Sequence, residues 1–301
     1  MTKILIIPDV HGRRFWKKPC EELVDYVNEI VFLGDYVDPY PYDFDPYKIV
    51  ERDGVSTMGE YINNDDVLPN LADIINFSYL HQDKVTLLLG NHDMHYISSV
   101  FYQLAGGTRY NRTLAPQIKE LFNEDRDLFH FAHLIKWKGG YVLFTHAGVN
   151  KGWFKMHSNY GKIKHAEDEI VFRGDEFDPY MVACDINSID EKDNNFPCLC
   201  EIGWTRGGAN NYGSSFWSDC EEYISSRRDA FVPDEFKENN IFQVFGHTRL
   251  RGEPIVMENA FACLDCSKAF IWEDGVMKDL DGKPLDFLWQ LYEKKGKNNK
   301  Q

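Results

Sequence analysis

Ile4-Leu5-Ile6-Ile7-Pro8-Asp9-Val10-His11-Gly12 is an apolar run that stops abruptly in a short polar cluster. Four Ile and Leu residues in a row are too few for a helix and suit a strand buried on both faces. The same design recurs four times. Ile30-Val31-Phe32-Leu33 runs into Gly34-Asp35-Tyr36-Val37-Asp38, and Val85–Leu89 into Gly90-Asn91-His92-Asp93. Tyr141–Phe144 runs into Thr145-His146-Ala147-Gly148, and Ile241–Phe245 into Gly246-His247-Thr248. Between these runs lie segments of helical period: Cys20, Leu23, Val24 and Val27, with Pro19 placed to open the helix; Val67, Leu68, Leu71, Ile74 and Ile75; Ile97, Val100, Phe101 and Leu104; and Pro116, Ile118, Leu121 and Phe122. Strand–helix–strand alternation with apolar strands implies an α/β sandwich whose strands are covered on both faces.

From about Lys151 to Asn240 the pattern weakens into a stretch rich in Asn, Asp and Trp, which we read as an irregular excursion over the core with short helices, one of them at Cys220–Arg228. Strand character returns at Ile255–Met257, Phe261–Leu264 and Phe270–Trp272, where Asp274-Gly275 supplies a hairpin turn. One domain over 1–290 with 151–240 as its decorated middle, followed by a polar tail at 291–301, is the simplest organisation.

The chain carries 33 Lys+Arg against 48 Asp+Glu over 301 residues, a net charge of −15. That balance argues against nucleic acid as a partner, because gripping a phosphate backbone takes a basic face. Apolar runs stop at about five residues, far short of the roughly 18–20 that a membrane-spanning helix needs. Seven cysteines, an odd number, suit a reducing compartment better than a disulfide framework, and the expected location is the cytoplasm.

A lone His or Asp after a strand is ordinarily a structural residue or a turn former. Five such clusters, all following their strands, are harder to explain by structure alone. In α/β sheets ligands gather beyond the carboxyl ends of the strands, so these clusters should converge. Packing their carboxylates and imidazoles together without a cation would be costly. A mixed His/Asp/Asn set without thiolates suits a divalent ion, manganese first, with iron, zinc, cobalt or nickel as alternatives. Seven or so ligands exceed what one ion takes and match two ions about 3.5–4 Å apart that share a bridging carboxylate. Two cations acidify a shared water to hydroxide near neutral pH.

The order Asp-x-His, Gly-Asp-x-x-Asp, Gly-Asn-His-Asp, His-x-Gly, Gly-His resembles the calcineurin-like metallophosphoesterases, and within them the serine/threonine phosphoprotein phosphatases. Gly34-Asp35-Tyr36-Val37-Asp38 is similar to that branch's Gly-Asp-x-Val-Asp-Arg-Gly, and Arg109-Tyr110-Asn111 to its Arg-Tyr-Asn. The motifs span Asp9 to Asp265, nearly the whole chain. The resemblance implies a two-sheet β-sandwich flanked by helices. It implies that Asp9, His11 and Asp35 hold one metal, and that Asp35, Asn91, His146 and His247 hold the other. It further implies that His92 is the general acid, oriented by Asp38, and that Arg206 clamps the phosphate.

The pattern also departs from the family. Pro39-Tyr40 stands where the branch has Arg-Gly, so one phosphate-binding arginine is missing, and Arg13, Arg14 and Arg52 are its candidate replacements by proximity in sequence. Gly246-His247-Thr248-Arg249 lacks the second His of Gly-His-x-His, which leaves the first metal fewer protein ligands. Pro39–Asp53, rich in Tyr and acid, reads as a substrate-facing wall or a proline-stiffened loop. Cys198-Leu199-Cys200 and Cys263-Leu264-Asp265-Cys266 lack the spacing of a zinc site and read as buried thiols. The expected substrate is a phosphorylated molecule, a phosphoprotein or alternatively a nucleotide such as a dinucleoside polyphosphate. A scaffold without catalysis is disfavoured, because the expected ligands and His92 are intact.

Overall fold

In the computed structural model the five apolar runs are strands, and their polar clusters lie at or just beyond the carboxyl ends. The structure describes residues 1–41, 43–52, 55–157, 162–164, 170–172, 177–191, 196–224, 232–250 and 252–286. The polar tail at 291–301 lies outside them.

In chain order the strands are β1 (Lys3–Ile7), β2 (Glu29–Phe32), β3 (Phe44–Arg52), β4 (Val55–Tyr61), β5 (Val85–Leu88), β6 (Phe129–His130), β7 (Ala132–Trp137), β8 (Gly140–Thr145), β9 (Lys162–Lys164), β10 (Ile170–Phe172), β11 (Ile241–Phe245), β12 (Ile255–Met257), β13 (Phe261–Cys263), β14 (Phe270–Glu273) and β15 (Val276–Lys278). The helices are α1 (Lys17–Leu23), α2 (Val67–Leu80), α3 (Asn91–Ile97), α4 (Ser99–Tyr102), α5 (Ala115–Glu124), α6 (Lys151–His157), α7 (Pro179–Asn187), α8 (Cys220–Ile224) and α9 (Asp234–Glu238).

One sheet runs β15-β14-β1-β2-β5-β6 and a second runs β12-β13-β11-β8-β7. Within the first, β1, β2, β5 and β6 are parallel, and within the second β8, β11 and β13 are parallel, so each sheet gathers its carboxyl ends along one edge. Strand alternation then divides the core in two. Ile4, Ile6, Val31 and Leu88 of the first sheet meet Val142, Phe144, Val244 and Ala262 of the second in a layer between the sheets. Leu5, Ile7, Ile30 and Phe32 point the other way and share an outer layer with Leu71 and Ile74 of α2. This is the two-sheet sandwich flanked by helices.

Local chemistry sets the helix boundaries. Asn63 and Asp66 form a reciprocal cap just ahead of α2, with the Asp65 amide donating to Asn63 Oδ1 and the Asn63 amide to Asp66 Oδ2. The continuous helix expected across Ile97–Leu104 is broken in two, because Ser98 is extended and its hydroxyl accepts from the Val100 and Phe101 amides. Helix α1 is shorter than expected and begins two residues before Pro19, leaving Val27 beyond its end. Asp274 and Gly275 both have positive φ, 44° and 91°, as the expected hairpin turn between β14 and β15 requires.

The segment Pro39–Asp53 is not simply a loop, because most of it is β3, paired antiparallel with β4. Proline within the run hid this, yet a two-stranded ribbon has only edge strands, where a missing amide is tolerated. The excursion at 151–240 holds α6 to α9 and the β9–β10 ribbon. The helix expected at Cys220–Arg228 is described only over Cys220–Ile224.

Candidate metal centre

The clusters beyond β1, β2, β5, β8 and β11 meet at one edge of the sandwich. Two glycines show how closely. A Cβ on Gly90 would lie 2.1 Å from Asp35 Oδ1, and one on Gly246 would lie 1.9 Å from Asp9 Oδ1. Glycine ends these strands because a carboxylate occupies the space a side chain would take. His11, Asp35, Asp38 and His247 have positive φ, at 47°, 53°, 58° and 62°. That conformation costs a non-glycine residue about 1–2 kcal/mol and persists where surrounding structure imposes it, commonly at functional sites.

Beside a third group, Asp38–His92–His95, two groups of ligand-capable side chains lie side by side, Asp9–His11–Asp35 and Asp35–His146–His247, and in each group the donor atoms lie within 4.8 Å of one another. Asp35 belongs to both. Its Oδ2 lies 3.6 Å from His11 Nε2 and 3.6 Å from His146 Nε2. Asn91 completes the second group, with Oδ1 3.0 Å from His146 Nε2 and 3.0 Å from His247 Nδ1. Two donors about 2.1 Å from one ion at a right angle lie about 3 Å apart, so this spacing fits a shared cation.

The proton positions support the same fit. His146 Nδ1 donates to the Leu33 carbonyl (2.9 Å), which leaves Nε2 with its lone pair, and that lone pair faces the Asn91 oxygen. Two acceptors facing each other at 3.0 Å repel unless a cation lies between them. His11 Nδ1 donates to the Val37 carbonyl (2.8 Å), freeing its Nε2 toward Asp35 in the same way. Burial lowers the pKa of His11, His146 and His247 below the ordinary histidine range, so all three rings are neutral, the form that binds metal. Burial, and then the charge of Asp35, pushes the Asp9 carboxyl up to about 8. Burial acts the same way on Asp35, yet that carboxyl is held below the usual range, and the His92 amide donating to its Oδ1 at 2.9 Å favours the ionised form. The His247 amide donates to Asp9 Oδ2 at 2.9 Å, tying the two sheets together at the site. Among the described residues no cysteine joins a metal-capable group.

His92 and Asp38 stand beside this pair of groups. His92 Nδ1 donates to Asp38 Oδ2 (2.7 Å), and the Tyr96 hydroxyl donates to Asp38 Oδ1. The Asn111 amide donates to the Tyr96 oxygen (2.8 Å), and Tyr110 stacks on Tyr96 with ring centres 4.5 Å apart. Arg109 Nε donates to the Asp38 carbonyl (2.9 Å), so Arg109-Tyr110-Asn111 wraps the His92–Asp38 pair. Asp93 accepts the amides of Gly90, Asp35 and Tyr36, fixing the turn that presents Asp35. Sequence reasoning left Tyr96 and His95 out of the site. Their signal is position, four and three residues beyond His92 on α3.

Arg206 lies at the rim beside His247. Its Nε pairs with Asp219 at 2.5 Å, and its Nη2 donates to the His247 carbonyl at 3.1 Å. Of the arginines nominated to replace the one missing after Asp38, Arg13 is buried and committed to the carbonyls of Val10 and Asp9, to Ser267 and to Asp43. Arg14 is paired with Asp73 at 2.8 Å, and the side chain of Arg52 lies outside the described residues. Neither Arg13 nor Arg14 is placed to meet a phosphate, whereas Arg109, quoted only as part of a motif, comes within 3.4 Å of His92.

Residues 2–248 match the family model described as calcineurin-like phosphoesterase. The solved structure of the cold-active protein-tyrosine phosphatase of a psychrophilic Shewanella species resembles the chain with TM-score 0.53 at 14% identity, covering 95% of this chain and 81% of that one. A point mutant of a cold-active protein tyrosine phosphatase gives TM-score 0.52 at 14% identity, with the same coverage of 95% and 81%. At that identity the likeness shows a common fold. No curated protein matches the chain in sequence.

Proposed function

From the premise that this chain belongs to the calcineurin-like phosphoesterases, and is thus a phosphoric ester hydrolase, we propose that it hydrolyses phosphate monoesters at a dinuclear centre held by Asp9, His11, Asp35, Asn91, His146 and His247. The observation that carries this reading is Asp35, whose single oxygen Oδ2 stands equally far from a histidine of each ligand group. Two divalent ions there, manganese in our proposal, would supply an acidified water and positive charge against the phosphoryl oxygens.

The chain's own residues do the rest. Water and ester become alcohol and inorganic phosphate, and the proton needed by the departing oxygen comes from His92 Nε2. Asp38 holds the other ring nitrogen at 2.7 Å, which fixes the imidazole's orientation. Burial, and then the neighbouring Asp38 charge, keeps Tyr96 protonated, so its hydroxyl always faces Asp38 as a donor. Arg206 offers its remaining N–H groups to the phosphoryl oxygens from the His247 side.

For the substrate we propose a phosphoprotein, with phosphoserine or phosphothreonine first. Exposed Phe44, Met58 and Tyr61 on the β3–β4 ribbon and Trp204 beside Arg206 offer apolar surface for a polypeptide, and the net charge of −15 favours a basic one. We propose 1–290 as the catalytic unit, with the 151–240 excursion supplying Arg206 and Asp219. No helix among the described residues is long and apolar enough to cross a membrane, and the seven free thiols suit the cytoplasm. The test is a manganese titration of metal-stripped protein, followed by turnover of an aryl phosphate, phosphopeptides carrying Ser, Thr or Tyr, and dinucleoside polyphosphates. Uptake of two ions with phosphopeptide turnover supports the reading. Failure to bind metal refutes the centre, and exclusive turnover of the nucleotides refutes the substrate.

A further inference from the structure

Four arginines around the centre have a carboxylate partner: Arg13 with Asp43, Arg14 with Asp73, Arg206 with Asp219 and Arg249 with Asp43. Arg109 differs. Its contacts are the Asp38 backbone carbonyl, His92 Nε2 and the face of Tyr40, and among the described residues no carboxylate neutralises it. A half-buried guanidinium without a counter-ion, at the edge of a reaction centre, is an anion-binding group waiting for its anion.

Its position is fixed from both sides. The Arg109 guanidinium carbon lies 3.5 Å from the centre of the Tyr40 ring, and that of Arg249 lies 3.8 Å from it. Two guanidinium groups cannot both occupy one face at that range, so they cover opposite faces, with Tyr40 clamped between. Asp43 anchors Arg249 at 2.6 Å, and the edge of Tyr40 meets the His11 ring at 4.9 Å. The stack therefore couples Arg109 to the wall of the first ligand group, through cation–π contacts that also screen it from water.

What Arg109 faces is informative. Its Nη2 lies 3.4 Å from His92 Nε2, the ring atom that faces the departing ester oxygen in the reading above. A phosphoryl oxygen next to that departing oxygen falls within reach of the guanidinium's remaining N–H groups, and its charge supplies the counter-ion that the described residues do not. We propose that Arg109 grips a non-bridging phosphoryl oxygen of the substrate and thereby selects phosphate monoesters over diesters. A monoester carries close to two negative charges near neutral pH and three non-bridging oxygens. A diester carries one charge and two such oxygens, so an uncompensated cation discriminates between them. Tyr40, Arg249 and Asp43 are positioning residues for that grip. This inference rests on the dinuclear phosphomonoesterase reading above and deepens it.

The test compares wild-type, Arg109→Ala and Arg109→Lys proteins, each loaded with manganese, on an aryl phosphate monoester and the corresponding bis-aryl diester. Metal content, inhibition by inorganic phosphate and calorimetric phosphate binding are measured alongside. Arg109→Ala should lower kcat/KM for the monoester by about 10- to 100-fold, the range of a lost hydrogen bond to a charged group. It should change the diester by less than about threefold, weaken phosphate binding by the same factor as the monoester loss, and leave metal content unchanged. Lysine should recover little, because it lacks the planar fork that stacks on Tyr40 and bonds the Asp38 carbonyl. If alanine disturbs the fold, the lysine variant carries the same comparison. Equal losses on both esters, or phosphate binding that ignores the substitution, overturn the inference. If the wild type turns over neither ester, the hydrolase reading has failed, while phosphate calorimetry still decides whether Arg109 binds the anion.

Discussion

Replacing Gly246 with alanine separates the metal centre from the fold. The backbone of Gly246 does not have positive φ, so alanine's backbone is allowed there, and the three atoms nearest the added Cβ all belong to Asp9. The nearest atom, Oδ1, would stand 1.9 Å away and has to retreat by more than 1 Å before the contact reaches 3.0 Å. Asp9 cannot do so freely, because its two oxygens hold the His247 amide at 3.1 and 2.9 Å. Losing that charged hydrogen bond costs about 1.5–3 kcal/mol, or roughly 10- to 150-fold in affinity for a cation that needs Asp9 in place. The fold itself regains about 0.4–1 kcal/mol from alanine's smaller unfolded-state freedom, so the melting temperature should fall by only a few degrees. A manganese titration by calorimetry should therefore change from two tight sites to one tight and one weak. A misplacement of this size should also lower turnover of an aryl phosphate by about 100-fold. Two undiminished sites with wild-type turnover would refute the crowding argument and the placement of Asp9 as a ligand.

Asp35→Asn should lose both cations and all turnover, since the shared oxygen serves both groups; elemental analysis that still finds two ions per chain would contradict it. His92→Asn should keep both cations but slow turnover by about 100- to 10,000-fold, the usual worth of a general acid, and normal rates would remove His92 from that role. Tyr96→Phe should lower kcat by about tenfold with KM and metal content unchanged, because it frees Asp38 to move; a change in KM alone would speak against this positioning role. For the metal-stripped protein, Asp9 with its pKa raised to about 8 holds a proton when folded that it loses on unfolding, so this group's contribution falls as pH rises toward 8. The buried histidines oppose this only below about pH 6.5, where their unfolded forms gain protons. Urea midpoints should therefore drop between pH 6.5 and 8 without metal and level out with manganese, and a rise in the metal-free midpoint would show the sign to be wrong.

Much of this molecule is visible in its residue order. Runs such as Ile4–Ile7 are long enough only for strands, and each is apolar at every position because its two faces meet different layers, Ile4 and Ile6 between the sheets and Leu5 and Ile7 under helices. The glycines and acids that follow them announce sharp turns, while it was the resemblance to the calcineurin-like phosphoesterases that named Asp9, His11, Asp35, Asn91, His146 and His247 together as expected ligands. The helix break at Ser98 was harder to see, since a serine hydroxyl competes with the backbone only when the chain around it is already placed. The β3–β4 ribbon was masked by proline, whose cost depends on whether a neighbouring strand needs the missing amide.

What the order of residues determined by itself was local: which segments are strands, where they end, and which donor chemistries stand at those ends. Tertiary structure alone decided which of those ends come together as a candidate metal centre, because only folding brings Asp35 Oδ2 within 3.6 Å of two histidines more than a hundred positions apart. It also decided which arginines have a carboxylate neighbour among the described residues. Charge is additive along a chain, but compensation depends on distance. Arg13 and Arg14 are near the site in sequence yet already neutralised by neighbours, while Arg109 arrives from far along the chain with no carboxylate partner among the described residues.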